Sequence, residues 1–269
     1  MHIQITFHKL SSENKDLLIA SLQDITDGFE EEEDILKAYF SEGNYDESQI
    51  KELVEKYNIS FEKTIVEMQN WNALWESNFE PVLVEDFVGI RASFHPPIQN
   101  VLYEIIITPK MSFGTGHHAT TYLMMQQMRK VDFKGKTVFD FGTGTGVLAI
   151  LAQKLGAISV TASDIDEWSI ENSIENFECN QCAFIEIVHS GAAEMHKEFD
   201  TILANINRNV LLEHIPTLSA QLKKTGQLIL SGILEEDEKI IADKCISHQL
   251  KFEEKTTKGN WICLSFSKV

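Results

Sequence analysis

Hydrophobic and polar positions fall into two rhythms along this chain. In the first stretch apolar residues alternate over His2–Phe7, the period of a half-buried strand. Ser12-Glu13-Asn14 offers a cap for a helix running to about Leu22. Ile25–Glu31 and Asp34–Tyr39 read as paired strands. Asn44-Tyr45-Asp46 opens a second helix with Ile50, Leu53, Val54 and Tyr57, and Phe61–Glu67 closes with another strand. This β-α-β-β-α-β order predicts a small α+β, ferredoxin-like domain over residues 1–68. Trp71, Trp75 and Phe79 recur at i, i+4 and i+8, so residues 69–80 read as a helical linker with one aromatic face for packing.

The rhythm then changes. Short apolar runs at Val82–Val84, Val88–Arg91 and Tyr103–Thr108 introduce a second domain over residues 81–269. From about residue 112, strand and helix alternate. A strand at Thr137–Phe139 leads to a helix from Gly146 to Leu155, and strand Ile158–Ser163 to a helix through Ile170, Ile174 and Phe177. Strands at Ala183–Val188 and Phe199–Asn205, a helix at Val210–Leu218, strand Leu228–Ser231 and a helix at Glu235–His248 follow. Leu250–Thr257 and Trp261–Lys268 lie close enough to form a hairpin. Such alternation predicts an α/β, Rossmann-like domain: a mostly parallel seven-stranded sheet ending in an antiparallel hairpin.

Composition narrows the function. The chain has 269 residues and a net charge of −18, with 18 acids against 6 lysines in residues 1–80. Acidic surfaces repel phosphate backbones, so nucleic acid is not the expected partner, whereas a basic protein would suit this first domain. No apolar run approaches a membrane span and the N-terminus does not look like a signal peptide, so a cytoplasmic protein is expected. Cys179 and Cys182 form a Cys-x-x-Cys without a second pair at zinc-site spacing, and they follow a helix rather than start one. Reduced thiols are the simpler reading.

The candidate chemistry centres on Asp140-Phe141-Gly142-Thr143-Gly144-Thr145-Gly146. Strand, glycine loop and helix N-terminus together make a cofactor turn. A dinucleotide fingerprint needs Gly or Ala where this chain has Val147, and Asp140 would repel a pyrophosphate. An acid there suits a ligand with positive charge or hydrogen-bond donors. Asp164, 22 residues after Gly142, ends the next strand, where a carboxylate accepts from ribose hydroxyls. Asp166 is expected to cap the following helix. Phe113-Gly114-Thr115-Gly116-His117-His118-Ala119-Thr120-Thr121 reads as a loop and helix start lying over the cofactor, and the adjacent histidines do not make a metal site. Asn205 projects into the crevice at the end of its strand. It is followed by Ile206-Asn207-Arg208 rather than Pro-Pro-aromatic, so the stacking wall used for planar nitrogens is missing and an sp³ amine is the better acceptor.

The glycine loop resembles motif I of the S-adenosylmethionine (SAM) methyltransferases. With Phe-Gly-Thr-Gly-x-His-x-Thr-Thr before it and Asp-Ile-Asp and Ala-Asn-Ile after it, the chain resembles the PrmA family, bacterial methyltransferases of ribosomal protein L11. The resemblance extends over the N-terminal domain and the tryptophan linker. It implies that the acidic domain docks the ribosomal protein and that the second domain methylates lysine ε-amines and the N-terminal α-amine, commonly to the trimethyl state. SAM is then the methyl donor, S-adenosyl-L-homocysteine the product, and no metal is needed. The implied SAM contacts are Thr121, Gly142, Asp164 and Asn205. Asp140, Gly144 and Gly146 shape the methionine pocket, Phe113 and Thr115 belong to the covering loop, and Asn205 also positions the acceptor amine. Thr143 stands where the family often has Cys, Ala119 where it has Pro, and Asn207-Arg208-Asn209 is more polar than usual, which leaves site choice and methyl number open. The rival readings are a methyltransferase of another protein or small amine, and a non-catalytic assembly factor with a SAM fold.

Overall fold

The structure is a computed structural model and describes residues 2–8, 10–22, 25–31, 34–41, 43–57, 59–66, 79–110 and 114–269. Trp71, Trp75 and Phe113 lie outside the described residues. The chain divides into two compact units, Met1–Ser77 and Asn78–Val269.

In the first unit the elements run β1 (His2–His8), α1 (Ser12–Leu22), β2 (Gly28–Glu31), β3 (Ile35–Ser41), α2 (Glu47–Tyr57) and β4 (Ser60–Val66). The four strands form one antiparallel sheet in the order β2-β3-β1-β4. Alternation sets its inner face: Leu36, Ala38 and Phe40 of β3 are fully buried beside Ile5 and Phe7 of β1. Leu18 and Leu22 of α1 and Ile50 of α2 join that same core, so both helices cover one face. Ser11, one residue earlier than the expected cap, accepts from the Asn14 amide at 3.2 Å. Asp46 accepts from the Ser48 amide at 2.8 Å as α2 begins.

The second unit opens with a three-stranded sheet of β5 (Val82–Val84), β6 (Val88–Ala92) and β7 (Tyr103–Ile107). The main body follows as α3 (Ala119–Met128), β8 (Thr137–Phe141), α4 (Val147–Lys154), β9 (Ser159–Asp164), α5 (Glu167–Cys179), β10 (Ile185–His189), β11 (Phe199–Asn205), α6 (Arg208–Ala220), β12 (Leu222–Leu234), α7 (Glu238–Ile246), β13 (Leu250–Lys258) and β14 (Trp261–Lys268). Seven strands make one sheet in the order β10-β9-β8-β11-β12-β14-β13. β8 to β12 pair in parallel, and β14 and β13 close the sheet antiparallel. β8 and β11 are buried along nearly their whole length, as parallel strands covered on both faces are. One core cluster joins α3 and α4 to one face, and a second joins α6 and α7 to the other.

The sheet confirms the fold expected from the alternation, with one long difference. β12 spans 13 residues where only Leu228–Ser231 was legible. Its first part carries Lys223-Lys224-Thr225-Gly226, with Thr225 at φ 65°, and the pairing with β11 jumps from Phe199↔Leu222 to Thr201↔Gln227. A polar excursion with a left-handed residue hides a strand from any period-2 reading. The helix expected over 235–248 is a 3₁₀ turn, Glu235–Asp237, followed by α7.

Candidate active site

Strand order reverses between β8 and β11, with β9 and β10 built out one way and β12 the other. In open parallel sheets a crevice forms at the carboxyl ends of strands at such a reversal. Here it is a cavity of about 730 Å³, lined among others by Gly142, Gly144, Asp164, Ser190, Asn205 and Trp261.

The glycine loop is bent by its backbone and tied down at several points. Gly142, Gly144 and Gly146 all have positive φ, at 75°, 56° and 81°, which a residue with Cβ adopts at a cost. The Gly142 and Thr143 amides both donate to the Ser163 carbonyl at 2.9 Å, locking the loop to the end of β9. Asp164 adds a charged tie: its carboxylate accepts from the Gly144 amide at 2.9 Å and the Asp166 amide at 3.0 Å. Asp166 caps α5 through the Trp168 amide, the role expected of it, and both Asp164 and Asp166 line the crevice. Helix α5 contributes a further brace that the sequence reading did not single out. Asn172, Asn176 and Asn180 stand one turn apart, and their amides hold Thr108, Thr145 and Ile106 carbonyls at 3.1, 2.8 and 2.6 Å. Asparagine every fourth residue, next to a strand, was the available signal.

Asp140 lies below the loop rather than on the cavity wall. It is 1% exposed. Its carboxylate accepts from the Thr143 hydroxyl at 2.6 Å, while its other oxygen has no partner. Burial pushes its pKa up to about 7, against the lowering effect of Thr143. Gly146 is behind the loop as the N-cap of α4, its α-carbon packed against Phe177.

The segment ahead of α3 folds onto the glycine loop, because the Thr145 hydroxyl donates to the Gly114 carbonyl at 2.7 Å. Thr115 turns away to contact the His117 ring at 3.1 Å, and His117 in turn reaches the Glu80 carbonyl at 3.0 Å. Phe79 is buried against the His117 ring edge, centroids 4.8 Å apart. His118 does different work: it caps α3 through Thr120 and lines the cavity.

Asn205 ends β11, 9% exposed, on the cavity wall. Its amide donates to the buried Thr121 hydroxyl at 3.3 Å, leaving the buried Oδ1 without a partner. The chain behind it is held closely. A Cβ on Gly232 would stand 2.3 Å from the Ile206 carbonyl oxygen, and one on Gly142 would stand 2.3 Å from Ile206 Cγ2. Asn207, one of the polar departures, caps α6 through the Asn209 and Val210 amides. Arg208 pairs with buried Asp237 at 2.9 Å. Both groups are thus used inside the protein, although Asn207 also borders the cavity.

This sheet order, glycine loop and acid at the second strand end define a class I SAM-dependent methyltransferase. The chain matches the family model for ribosomal protein L11 methyltransferase (PrmA) over residues 4–269. It is similar to the ribosomal protein L11 methyltransferase of Porphyromonas gingivalis, 41% identical over 262 residues that cover 94% of this chain and 90% of that protein. The Phocaeicola vulgatus protein of the same name is 36% identical over 98% of each chain. Among solved structures, a ribosomal protein L11 methylase from Lactobacillus delbrueckii subsp. bulgaricus superposes with a TM-score of 0.66 at 33% identity, covering 71% of this chain and 99% of that one. A methyltransferase from Pyrococcus furiosus, at 19% identity and a TM-score of 0.53 over 61% of this chain and 89% of that one, shares the fold. This chain belongs to the ribosomal protein L11 methyltransferase family.

Proposed function

We propose that this enzyme transfers methyl groups from SAM to ribosomal protein L11, on lysine ε-amines and the N-terminal α-amine. The observation that carries the reading is one cavity whose wall holds a glycine loop tied to Asp164 and, on β11 two strands from Asp164, Asn205 with a buried Oδ1 that has no partner. The residues fit SAM. Asp164 would accept from the ribose hydroxyls, and Gly142 and Gly144 leave room beside the loop for the methionine portion. Asp140 supports that portion from beneath through Thr143. Bound SAM supplies a methyl on a sulfonium, with a thioether as leaving group.

The chain's own contribution is to hold an amine in line. A lysine side chain is neutral only about once in 2,500 molecules at pH 7, so desolvation in the crevice must favour the neutral form. In the first two transfers Asn205 Oδ1 accepts an N–H of that amine, which turns the lone pair away from Asn205 and toward the methyl; the dimethylated amine of a third transfer has no N–H left to donate. The Asn205 amide nitrogen rests on the Thr121 hydroxyl, which leaves Oδ1 for the amine. An amine needs no flat stacking partner at this point, in keeping with Ile206 and Asn207 following Asn205.

The N-terminal unit is the docking domain in this proposal. Residues 1–80 carry a net charge of −12, which attracts a basic ribosomal protein and repels RNA. Among the described residues no helix is long and apolar enough to cross a membrane, and the cytoplasm is the proposed place of action. The test is incubation with labelled SAM and purified ribosomal protein L11. Label on lysines and the N-terminus is expected. Label only on another acceptor overturns the choice of substrate, and SAM binding without transfer to any acceptor would turn the protein into a scaffold.

A further inference from the structure

The acceptor end of the cavity has an aromatic side chain after all, supplied from the far end of the sequence. Trp261 begins β14, which runs antiparallel to its neighbour β12, so its first residue lies at the carboxyl ends of the parallel strands. The hairpin that delivers it is tightly fixed. Gly259 at φ 61° takes the first central position of a two-residue turn between the paired Lys258 and Trp261. The Asn260 carbonyl accepts from the Glu235 amide at 3.0 Å, and Lys258 Nζ stands 3.3 Å from the Tyr122 ring centroid on α3.

Trp261 lines the cavity, half-buried, with its ring edge-to-face against His118 at 4.6 Å. His118 and Thr121 belong to the same turn at the start of α3, and Thr121 holds Asn205. The start of α3 thus touches Trp261 through His118 and holds Asn205 through the buried Thr121, and Trp261, His118 and Asn205 line the cavity. Sheet order puts Trp261 away from Asp164. Asp164 is on β9, and β14 is four strands further along, roughly 19 Å at the usual strand spacing.

We propose that Trp261 is the wall of the acceptor channel, and that its indole holds methylated ammonium groups so that one amine receives several methyls. The inference rests on the amine-methylation reading above. In each transfer the neutral amine's lone pair forms the N–C bond as the donor's S–C bond breaks, and that bonding pair stays on sulfur. The product is an alkylammonium ion, which releases a proton to solvent before the next transfer. After the third it is quaternary and has no proton to release. Each added methyl makes the cation less hydrated and a better partner for an aromatic face. Trp261 thus retains mono- and dimethylated amines better than the unmodified amine, and keeps them placed while the spent donor is exchanged.

The experiment compares wild type, Trp261→Phe and Trp261→Leu on ribosomal protein L11, with mass spectrometry of the methylated sites at equal total transfer. Trp261→Leu keeps an apolar side chain but no ring. It should lower the ratio of trimethyl to monomethyl product about fivefold, with Trp261→Phe in between. SAM affinity measured by calorimetry should stay unchanged in both. An unaltered product ratio in Trp261→Leu overturns the inference, as does a parallel loss of SAM affinity, which would put the ring on the donor side. A wild type that stops at one methyl overturns it too. A wild type that transfers nothing to ribosomal protein L11 removes the substrate reading first, and this inference with it.

Discussion

The two ends of the cavity are built in opposite ways. The donor end comes from one continuous run, β8 through the start of α5, with Asp164 tied to the glycine loop by a bond across 20 residues. The acceptor end is assembled from α3, β11, β12 and β14, and its central bond, Asn205 to Thr121, joins residues 84 apart. A local device binds one small molecule that never changes. A device put together from distant segments can be altered piece by piece, which suits the side we propose receives the protein to be methylated. If this division is right, substitutions at each end should change different kinetic quantities.

The largest expected effect concerns Asp140, under the donor loop. Its folded-state pKa of about 7 lies above the unfolded value. Between those values the native state binds the extra proton, so stability falls as pH rises from about 4 to about 7. Asp140→Asn keeps an acceptor for Thr143 and removes the titration. Between pH 5 and pH 8 the variant's unfolding free energy should lose about 3 kcal/mol less than that of wild type, measured by urea denaturation at each pH. Parallel pH profiles would mean that Asp140 is ionised throughout. Next in size is Gly232→Ala, where the new methyl meets the Ile206 carbonyl oxygen and must displace Asn205. Misplacing a reacting group by such a distance costs about 100-fold in kcat/KM, while SAM affinity should change little. Gly135→Ala is the control: φ is 73° there too, but nothing lies within 4 Å of the added Cβ, so activity should survive.

The same contrast explains what could be read from the sequence. The seven-stranded sheet was legible because apolar runs of strand length alternate with helical ones, and β11 and β14 have the bounds their patterns imply. At the donor end, Gly142, Gly144 and Asp164 are brought together on the cavity wall, and their spacing along the chain already implied it. Asp140 and Gly146 have the same spacing and lie behind that wall, since strand alternation and helix capping turn them inward. At the acceptor end Asn205 was legible from its place at a strand terminus. Trp261 was not, because it stands 56 residues further along and reaches the cavity only through the antiparallel return of β14. Asn176 and Asn180 drew no expectation from the sequence, yet they bind the carbonyls of the glycine loop and β7. Polar spacing alone does not say whether water or a strand edge lies opposite.

Asn205→Ala tests the acceptor end directly. It removes the unpartnered Oδ1 together with the amide that Thr121 holds. Losing a buried hydrogen bond to the reacting amine should lower kcat about 30-fold, read in steady-state transfer to ribosomal protein L11. The SAM dissociation constant should remain within about twofold of wild type, since a change below that is a small fraction of one hydrogen bond. A large loss of SAM affinity instead would make Asn205 the donor contact that the family resemblance implies, and the separation of the two ends would fail at its central residue.

The smallest effect, and the sharpest for the donor end, belongs to Asp164→Ala. The carboxylate does two jobs: it holds the Gly144 and Asp166 amides, and in our proposal it receives the ribose hydroxyls. Each oxygen has two lone pairs, so the backbone ties do not exhaust it. Removing it should raise the SAM dissociation constant about tenfold or more, because hydrogen bonds to a charged acceptor are worth roughly 1.5–3 kcal/mol each and water recovers part of that. The KM for ribosomal protein L11 at saturating SAM should hold steady. Asp164→Asn separates the two jobs. Its one carbonyl oxygen can still take the Gly144 amide, so the loop stays bent while the negative charge is gone. If calorimetry gives Asp164→Asn a SAM affinity close to that of Asp164→Ala, the charge toward the ribose dominates. An affinity close to wild type would mean that Asp164 acts chiefly by bending the loop, and the donor end would then rest on backbone shape rather than on a carboxylate.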